Sequence, residues 1–171
     1  MTPRLLLVGL AVALAACATD APPATPPAAD PVADDPAAEA AAVRDAVRDA
    51  VDAQERAVRE ADLPALDALW SADDDVVVFE QGGVDSTWAA YRDGHLGPEL
   101  VALEDLDYRH EDVAVRVGGG LAVATGRYVL AARHDGEPVE SEGLFTTVLE
   151  RADGRWEIVH THLSRPRRPS A

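Results

Sequence analysis

Three short breaks divide the second half of the chain: Gly118-Gly119-Gly120, Asp135-Gly136 and Asp153-Gly154. They separate four runs rich in β-branched and apolar residues, 105–117, 121–133, 138–151 and 155–165. Asp-Gly between two such runs is among the strongest short hairpin signals, because it tolerates the positive φ angles of a tight turn. Four strands linked in this way predict an antiparallel meander. In 121–133 the apolar parity switches from Leu121 and Val123 to Tyr128 and Leu130, with Gly126 between them. That switch predicts a β-bulge at Gly126 and a bent sheet.

Ahead of the meander the periodicity is helical. Residues 38–61 contain no Gly or Pro, and Val43, Val47, Ala50, Val51, Gln54, Val58 and Ala61 form one stripe at spacings of three and four. Arg48 with Asp52 and Glu55 with Arg59 are i, i+4 pairs on the opposite, wet side. Asp62 is placed to cap a second helix, DLPALDALW, with Pro64 tolerated in its first turn. A short apolar run, Val76 to Glu80, reads as a strand that Gln81-Gly82-Gly83 breaks. Asp85 or Ser86 can cap a third helical piece, TWAAYRDGHL, which Gly97-Pro98 should end. Helices first and a curved antiparallel sheet after them predict an α+β fold, with the long helix across the concave face.

The amino terminus is an address rather than a structure. Arg4 and the terminal amine precede an apolar stretch from Leu5 to Leu14, too short to span a bilayer as a mature helix. It closes on Leu14-Ala15-Ala16-Cys17, which resembles the lipobox of bacterial lipoproteins. The resemblance implies a signal peptide over 1–16, cleavage before Cys17 and diacylglycerol on its sulfur. Cys17 is the only cysteine, so no intramolecular disulfide supports the exported domain. Two or more acyl chains suffice for stable anchoring. Ala18 stands where an aspartate would signal inner-membrane retention, which favours the outer membrane, facing the periplasm, in a Gram-negative cell. Residues 17–37 hold six of the twelve prolines and no large apolar side chain beyond one valine, and read as an extended tether. The domain proper is expected over 38–165, with a tail at 166–171.

Composition excludes some partners. The chain has no lysine and a formal charge of −16, and loss of the leader removes a further arginine. Such a surface repels nucleic-acid phosphates and anionic lipid, which leaves the acyl chains as the membrane contact.

Several stretches taken together resemble the SnoaL-like branch of the nuclear transport factor 2-like superfamily. They are ADLPALDALWSADDDVVVFEQGG, STWAAYRDGHLGPEL, LAVATGRYVL and TTVLERADGRWEIVHTHLS, in the family's order. The last is the most specific, with tryptophan, a branched apolar residue, histidine and serine on alternate positions. The resemblance implies a cone: a bent sheet around helices, a pocket at the wide end, and a homodimer through the outer sheet face, where Val159 and Leu163 could contribute. Relatives include ketosteroid isomerase, scytalone dehydratase, polyketide cyclases and limonene epoxide hydrolase, and also non-catalytic binding domains. Fold does not decide between these. The isomerase's catalytic set has no counterpart at matching positions, so no catalytic residue is carried over.

Within such a cone, simple alternation along the last strand sends Trp156, Ile158, His160, His162 and Ser164 to the pocket. Trp88, Tyr91 and His95, at i, i+3 and i+7 of the third helical piece, should border the pocket mouth. Tyr108 and His110 have a parity opposite to Val113, Val115 and Val117 and are expected to face outward. The resulting expectation is a pocket for a small, partly apolar ligand, with no cofactor assigned and no metal ligands assigned. Three alternatives stay open. One is an isomerase, hydratase or cyclase with His160 or His162 as general base. Another is a metal centre from the strand histidines with His95 and Glu99. The last is a dimeric interaction module with an inert cavity.

Overall fold

The computed structural model describes residues 36–165. The leader, Cys17, almost all of the tether and the tail lie outside the described residues. Helix α1 spans Pro36–Arg59, starting two residues inside the stretch read as tether, and buries Val47, Val51 and Ala57. Its core stripe is the one that the spacing of apolar residues indicates. Helix α2 is Leu63–Asp67, and Asp62 caps it, with Oδ1 accepting the Ala65 N–H at 3.0 Å. No helix among the described residues is long and apolar enough to cross a membrane.

The third helical region departs from expectation at both ends. Its cap is Thr87, whose Oγ1 accepts the Ala90 N–H at 3.0 Å. Helix α3 (Trp88–Tyr91) then widens into a π-helical turn, Arg92–Leu96, and continues as α4, Gly97–Ala102. Pro98 does not stop the helix, because it falls in the first turn of α4, where no N–H is needed. A Cβ on residue 97 would lie 2.6 Å from the Arg92 carbonyl oxygen, so glycine is what lets the wide turn close onto α4.

Among the described residues, six strands form one sheet in the order β2-β1-β6-β5-β4-β3. They are β1 (Val77–Glu80), β2 (Gly83–Asp85), β3 (Leu103–Gly118), β4 (Leu121–His134), β5 (Glu137–Ala152) and β6 (Arg155–Ser164). The last four are the expected meander. Both Asp-Gly turns take positive φ at both residues: 52° and 79° at Asp135-Gly136, 49° and 83° at Asp153-Gly154. The sheet is mixed rather than wholly antiparallel, since β1 joins β6 in parallel register, Val77 beside His160 and Phe79 beside His162.

Bulges control which side chains face inward. Strand β4 is unbroken, and Ala122, Ala124, Tyr128 and Ala132 are all buried along it. The bulge expected at Gly126 lies instead on the facing strand. Glu111 pairs with Arg127 but Ala114 pairs with Thr125, so β3 carries one extra residue, and Asp112 there has φ 54°. Gly126 sits against this bulge because a Cβ would approach both the Glu111 carbonyl oxygen and the Phe145 ring to 2.7 Å. A second bulge on β3 follows Glu104, with Asp105 at φ 52°. A third lies on β6: Val148 pairs with His160 and Leu149 with Ile158, leaving Val159 unpaired.

Each bulge reverses the alternation beyond it. On β3 the reversal turns Tyr108 and His110 inward, contrary to the outward expectation. On β6 it turns Thr161 and Leu163 inward and leaves His160 and His162 on the outer face. Helix α1 packs mainly on β3 and pins its bulge. Glu55 Oε2 accepts the His110 backbone N–H at 2.7 Å, and Arg48 Nη2 donates to the Val113 carbonyl at 2.8 Å. Glu55 keeps its expected i, i+4 partner, Arg59, at 3.4 Å. Beneath the helix, Val47, Val51, Leu66, Val76, Val78, Leu149 and Ile158 are fully buried.

Candidate functional site

Between α1, α4 and the inner face of β3 to β6 lies a cavity of about 70 Å³. At about 30 Å³ of liquid volume per water it has room for about two waters. Leu100, Leu103, Leu106, Leu130, Phe145 and Leu163 supply most of its apolar wall. Polar groups enter from several elements: Gln54 from α1, Glu80 from β1, Tyr91 from α3, Tyr108 and His110 from β3, and Thr147 and Thr161 from β5 and β6. An apolar hollow with a few convergent polar groups is the general form of a small-molecule site.

The inner wall is ordered by short contacts. Thr147 and Thr161 face each other across the β5–β6 pair, Oγ1 to Oγ1 at 2.7 Å. The Tyr108 hydroxyl lies 3.1 Å from His110 Nε2, and the His110 ring leans on Phe145 with centroids 4.3 Å apart. Burial pushes the His110 pKa down to about 4, against a weaker opposing pull from Asp52. The ring is therefore neutral at pH 7. Burial also raises the Tyr108 and Tyr91 hydroxyl pKa values, with nearby Glu80 adding to both, so each phenol keeps its proton.

Of the pocket residues expected from sequence, Tyr91 alone lines this cavity. Trp88 is buried beside it, stacked on Trp70 at 4.7 Å, and donates Nε1–H to Asp67 Oδ1 at 2.8 Å. Ile158 is fully buried in the core, and Trp156 packs partly buried against that core. Neither lines the cavity. His160 and His162 are corrected to the outer sheet face, where both meet the edge of Phe79, at 5.1 and 5.9 Å. His160 Nδ1 also lies 2.7 Å from the Val77 carbonyl oxygen. Ser164 ends β6 outside the cavity, its carbonyl against Gly143. Leu163, expected on the outer face, is in the cavity wall. The extra residue at Val159 is the common physical reason for these displacements along β6.

His95 stands next to the cavity, not in its lining. Its Nδ1 is 3.2 Å from Asp85 Oδ2, while Nε2 lies 3.6 Å from Glu99 Oε1 and 3.9 Å from Glu80 Oε2. The Tyr91 hydroxyl donates to the same Glu80 oxygen at 2.8 Å. Burial and the Glu80 charge both raise the Glu99 pKa. The strand histidines take no part in this group.

Comparison with known proteins agrees with this architecture. The profile of the SnoaL-like domain family matches residues 47–168. The chain belongs to the SnoaL-like family. No curated protein sequence matches it significantly. Among solved structures, this SnoaL-like chain is similar to a nuclear transport factor 2-like superfamily protein from Salmonella enterica. Identity is 18%, the TM-score is 0.71, and the match covers 77% of this chain and 96% of that one. It is also similar to a protein from Streptomyces avermitilis provisionally assigned as a dehydratase, at 21% identity and a TM-score of 0.69, over 75% and 99% of the two chains. A third similar structure, from Shewanella frigidimarina, is provisionally assigned as a ketosteroid isomerase. It shows 24% identity and a TM-score of 0.60, over 68% and 92%. At these identities the likeness establishes the fold, and the SnoaL-like site has to be read from its own residues.

Proposed function

We propose that this SnoaL-like domain is a lipid-anchored, exported binding module whose cavity takes a small, partly apolar molecule bearing a hydrogen-bonding group. One coincidence of position carries the reading. Among the described residues, the buried side-chain polar atoms without a hydrogen-bond partner are Gln54 Oε1, Trp70 Nε1 and His110 Nδ1. All three belong to residues that line the cavity. An unpaired buried donor or acceptor costs about 1–3 kcal/mol. A ligand hydroxyl or carbonyl offsets part of that cost, and the leucine and phenylalanine wall accepts the apolar remainder. The hollow encloses only a few non-hydrogen atoms, and a longer molecule leaves its end at the mouth.

The test uses 1-butanol, whose tail and hydroxyl match that description, titrated into the full chain and followed by NMR. Saturable binding is expected, and Gln54→Leu should weaken it about fivefold, the worth of one hydrogen bond near 1 kcal/mol. An unchanged affinity in that variant would remove Gln54 from the site.

A catalytic reading, of the isomerase or dehydratase kind provisionally assigned to two similar structures, finds its support in His110. A neutral imidazole beside a Tyr108 hydroxyl in an apolar cavity can exchange a proton with a bound molecule. His160 and His162 no longer serve that role, being outside the cavity. Chemical change of a bound ketone or alcohol that stops in His110→Gln would favour catalysis over binding.

Anchoring through acylated Cys17, with the domain facing the periplasm, completes the proposal. Cys17→Ser should move the protein from the membrane to the soluble fraction; membrane association that persists would refute it. Two copies are proposed to pair through the outer sheet face, where Phe79 and Leu144 are exposed. Sedimentation at the mass of a single chain would contradict that pairing.

A further inference from the structure

The cluster beside the cavity has a form that small-molecule binding does not require. We propose that Glu80, His95 and Glu99 form a site for a divalent first-row metal ion of the zinc class. One ligand atom from each residue lies within 4.8 Å of the others. Around an ion bound at about 2.1 Å, tetrahedral ligand atoms sit roughly 3.4 Å apart. The separations of 3.6 and 3.9 Å from His95 Nε2 to the two carboxylates are close to that, and side-chain rotation of Glu99 can close the rest.

The supporting contacts distinguish this cluster from a chance group of acids. Metal-binding histidines almost always give their other ring N–H to a carboxylate, a backbone carbonyl or a water, which fixes the tautomer and aims the free lone pair. Here Asp85 holds His95 Nδ1 at 3.2 Å, so Nε2 is the atom presented to Glu80 and Glu99. Glu80 is oriented in the same way by the Tyr91 hydroxyl. Four separate elements converge on the point: β1 brings Glu80, β2 brings Asp85, the π-helical turn brings His95 and α4 brings Glu99. Single π-turns recur at functional sites, because the wider turn re-aims the side chain it carries. The charge balance also favours a cation. Three carboxylates face one imidazole, and Arg165 acts on Glu99 more weakly than His95 does.

One nitrogen and two carboxylate ligands suit zinc or manganese better than copper(I) or an iron–sulfur cluster, which want thiolates. Glu80 and Glu99 also line the cavity, so coordination positions left by three protein ligands open toward it. The inference does not depend on what the cavity holds, since the ion is bound by side chains alone.

Isothermal titration calorimetry of the full chain with zinc chloride tests it. One saturable site is expected. Glu99→Gln and His95→Gln should each weaken the Kd at least tenfold, whereas the double variant His160→Ala/His162→Ala should bind as the parent does. If His95→Gln fails to fold, the half-exposed Glu99→Gln decides the outcome alone. X-ray absorption of the loaded protein should show mixed nitrogen and oxygen ligands at about 2.0–2.2 Å. Absence of saturable binding, an unchanged Kd in Glu99→Gln, or loss of binding in the outer-histidine double variant would each overturn the site.

Discussion

Between pH 6.5 and about 4 the domain is expected to lose about 3 kcal/mol of stability through His110 alone. An unfolded histidine takes up its proton near pH 6.5, while burial holds the folded His110 neutral down to about 4. In that window the unfolded state binds more protons, so stability falls as the pH drops, by about 1.4 kcal/mol for each unit. The contribution is complete above pH 6.5 and gone below pH 4. Burial sets the sign against the groups that face the ring. From α1, Asp52 and Glu55 offer negative charge, with Glu55 Oε2 4.0 Å from Nδ1; from β3, the Tyr108 hydroxyl is neutral; from β5, Phe145 is apolar. Asp52 opposes the shift and burial outweighs it, the ring being 3% exposed. Urea unfolding of the parent and of His110→Gln at pH 7, 5.5 and 4.5 reads the effect as a difference, in which the other titrating groups largely cancel. The stability gap between parent and variant should shrink as the pH falls. Equal pH slopes in the two proteins would show that the imidazole is solvated.

Gly126→Ala should destabilise the domain by about 3 kcal/mol, at the upper end of what overpacking costs. The added Cβ meets a backbone carbonyl, Glu111, on one side and the Phe145 ring on the other, each at 2.7 Å. Neither can withdraw cheaply. The carbonyl belongs to the bulge that α1 clamps through Glu55, and Phe145 is a 3% exposed core side chain that also supports His110. Gly120→Ala is the control: its Cβ would meet nothing within 4 Å, and its stability should stay within about 0.5 kcal/mol of the parent. A mild effect at position 126 would mean that β3 approaches β4 less closely than the bulge requires.

Local signals carried most of the fold. The turn glycines delimited all four meander strands to within a few residues, and Asp62 marked its helix because capping depends only on neighbours three residues apart. Pairing of β1 with β6 joins residues some eighty positions apart and leaves no local trace, so the parallel edge was not legible. The candidate site failed for a different reason. Parity reasoning assumes unbroken alternation, and one extra residue inverts everything beyond it. On β3 the clue was present. Tyr108 and His110 alternate out of phase with Val113, Val115 and Val117, the same switch that was read as a bulge around Gly126, and an aspartate stands at the break. On β6 the phase change from Trp156 and Ile158 to Thr161 and Leu163 falls at a valine, with no Gly, Asn or Asp to announce it. The histidines then drew attention to the wrong side of the strand, while Gln54 and Glu80, which lie in the cavity wall, read as an ordinary stripe residue and a strand end.

The proposed function rests on which side of the curved sheet holds the hollow that accepts a guest. The most direct measurement is an NMR map of shift changes, residue by residue, as 1-butanol is added to the full chain. Perturbations centred on Gln54, Tyr108, His110 and Thr161 are the predicted result. A map centred instead on Phe79, His160 and His162 would contradict it.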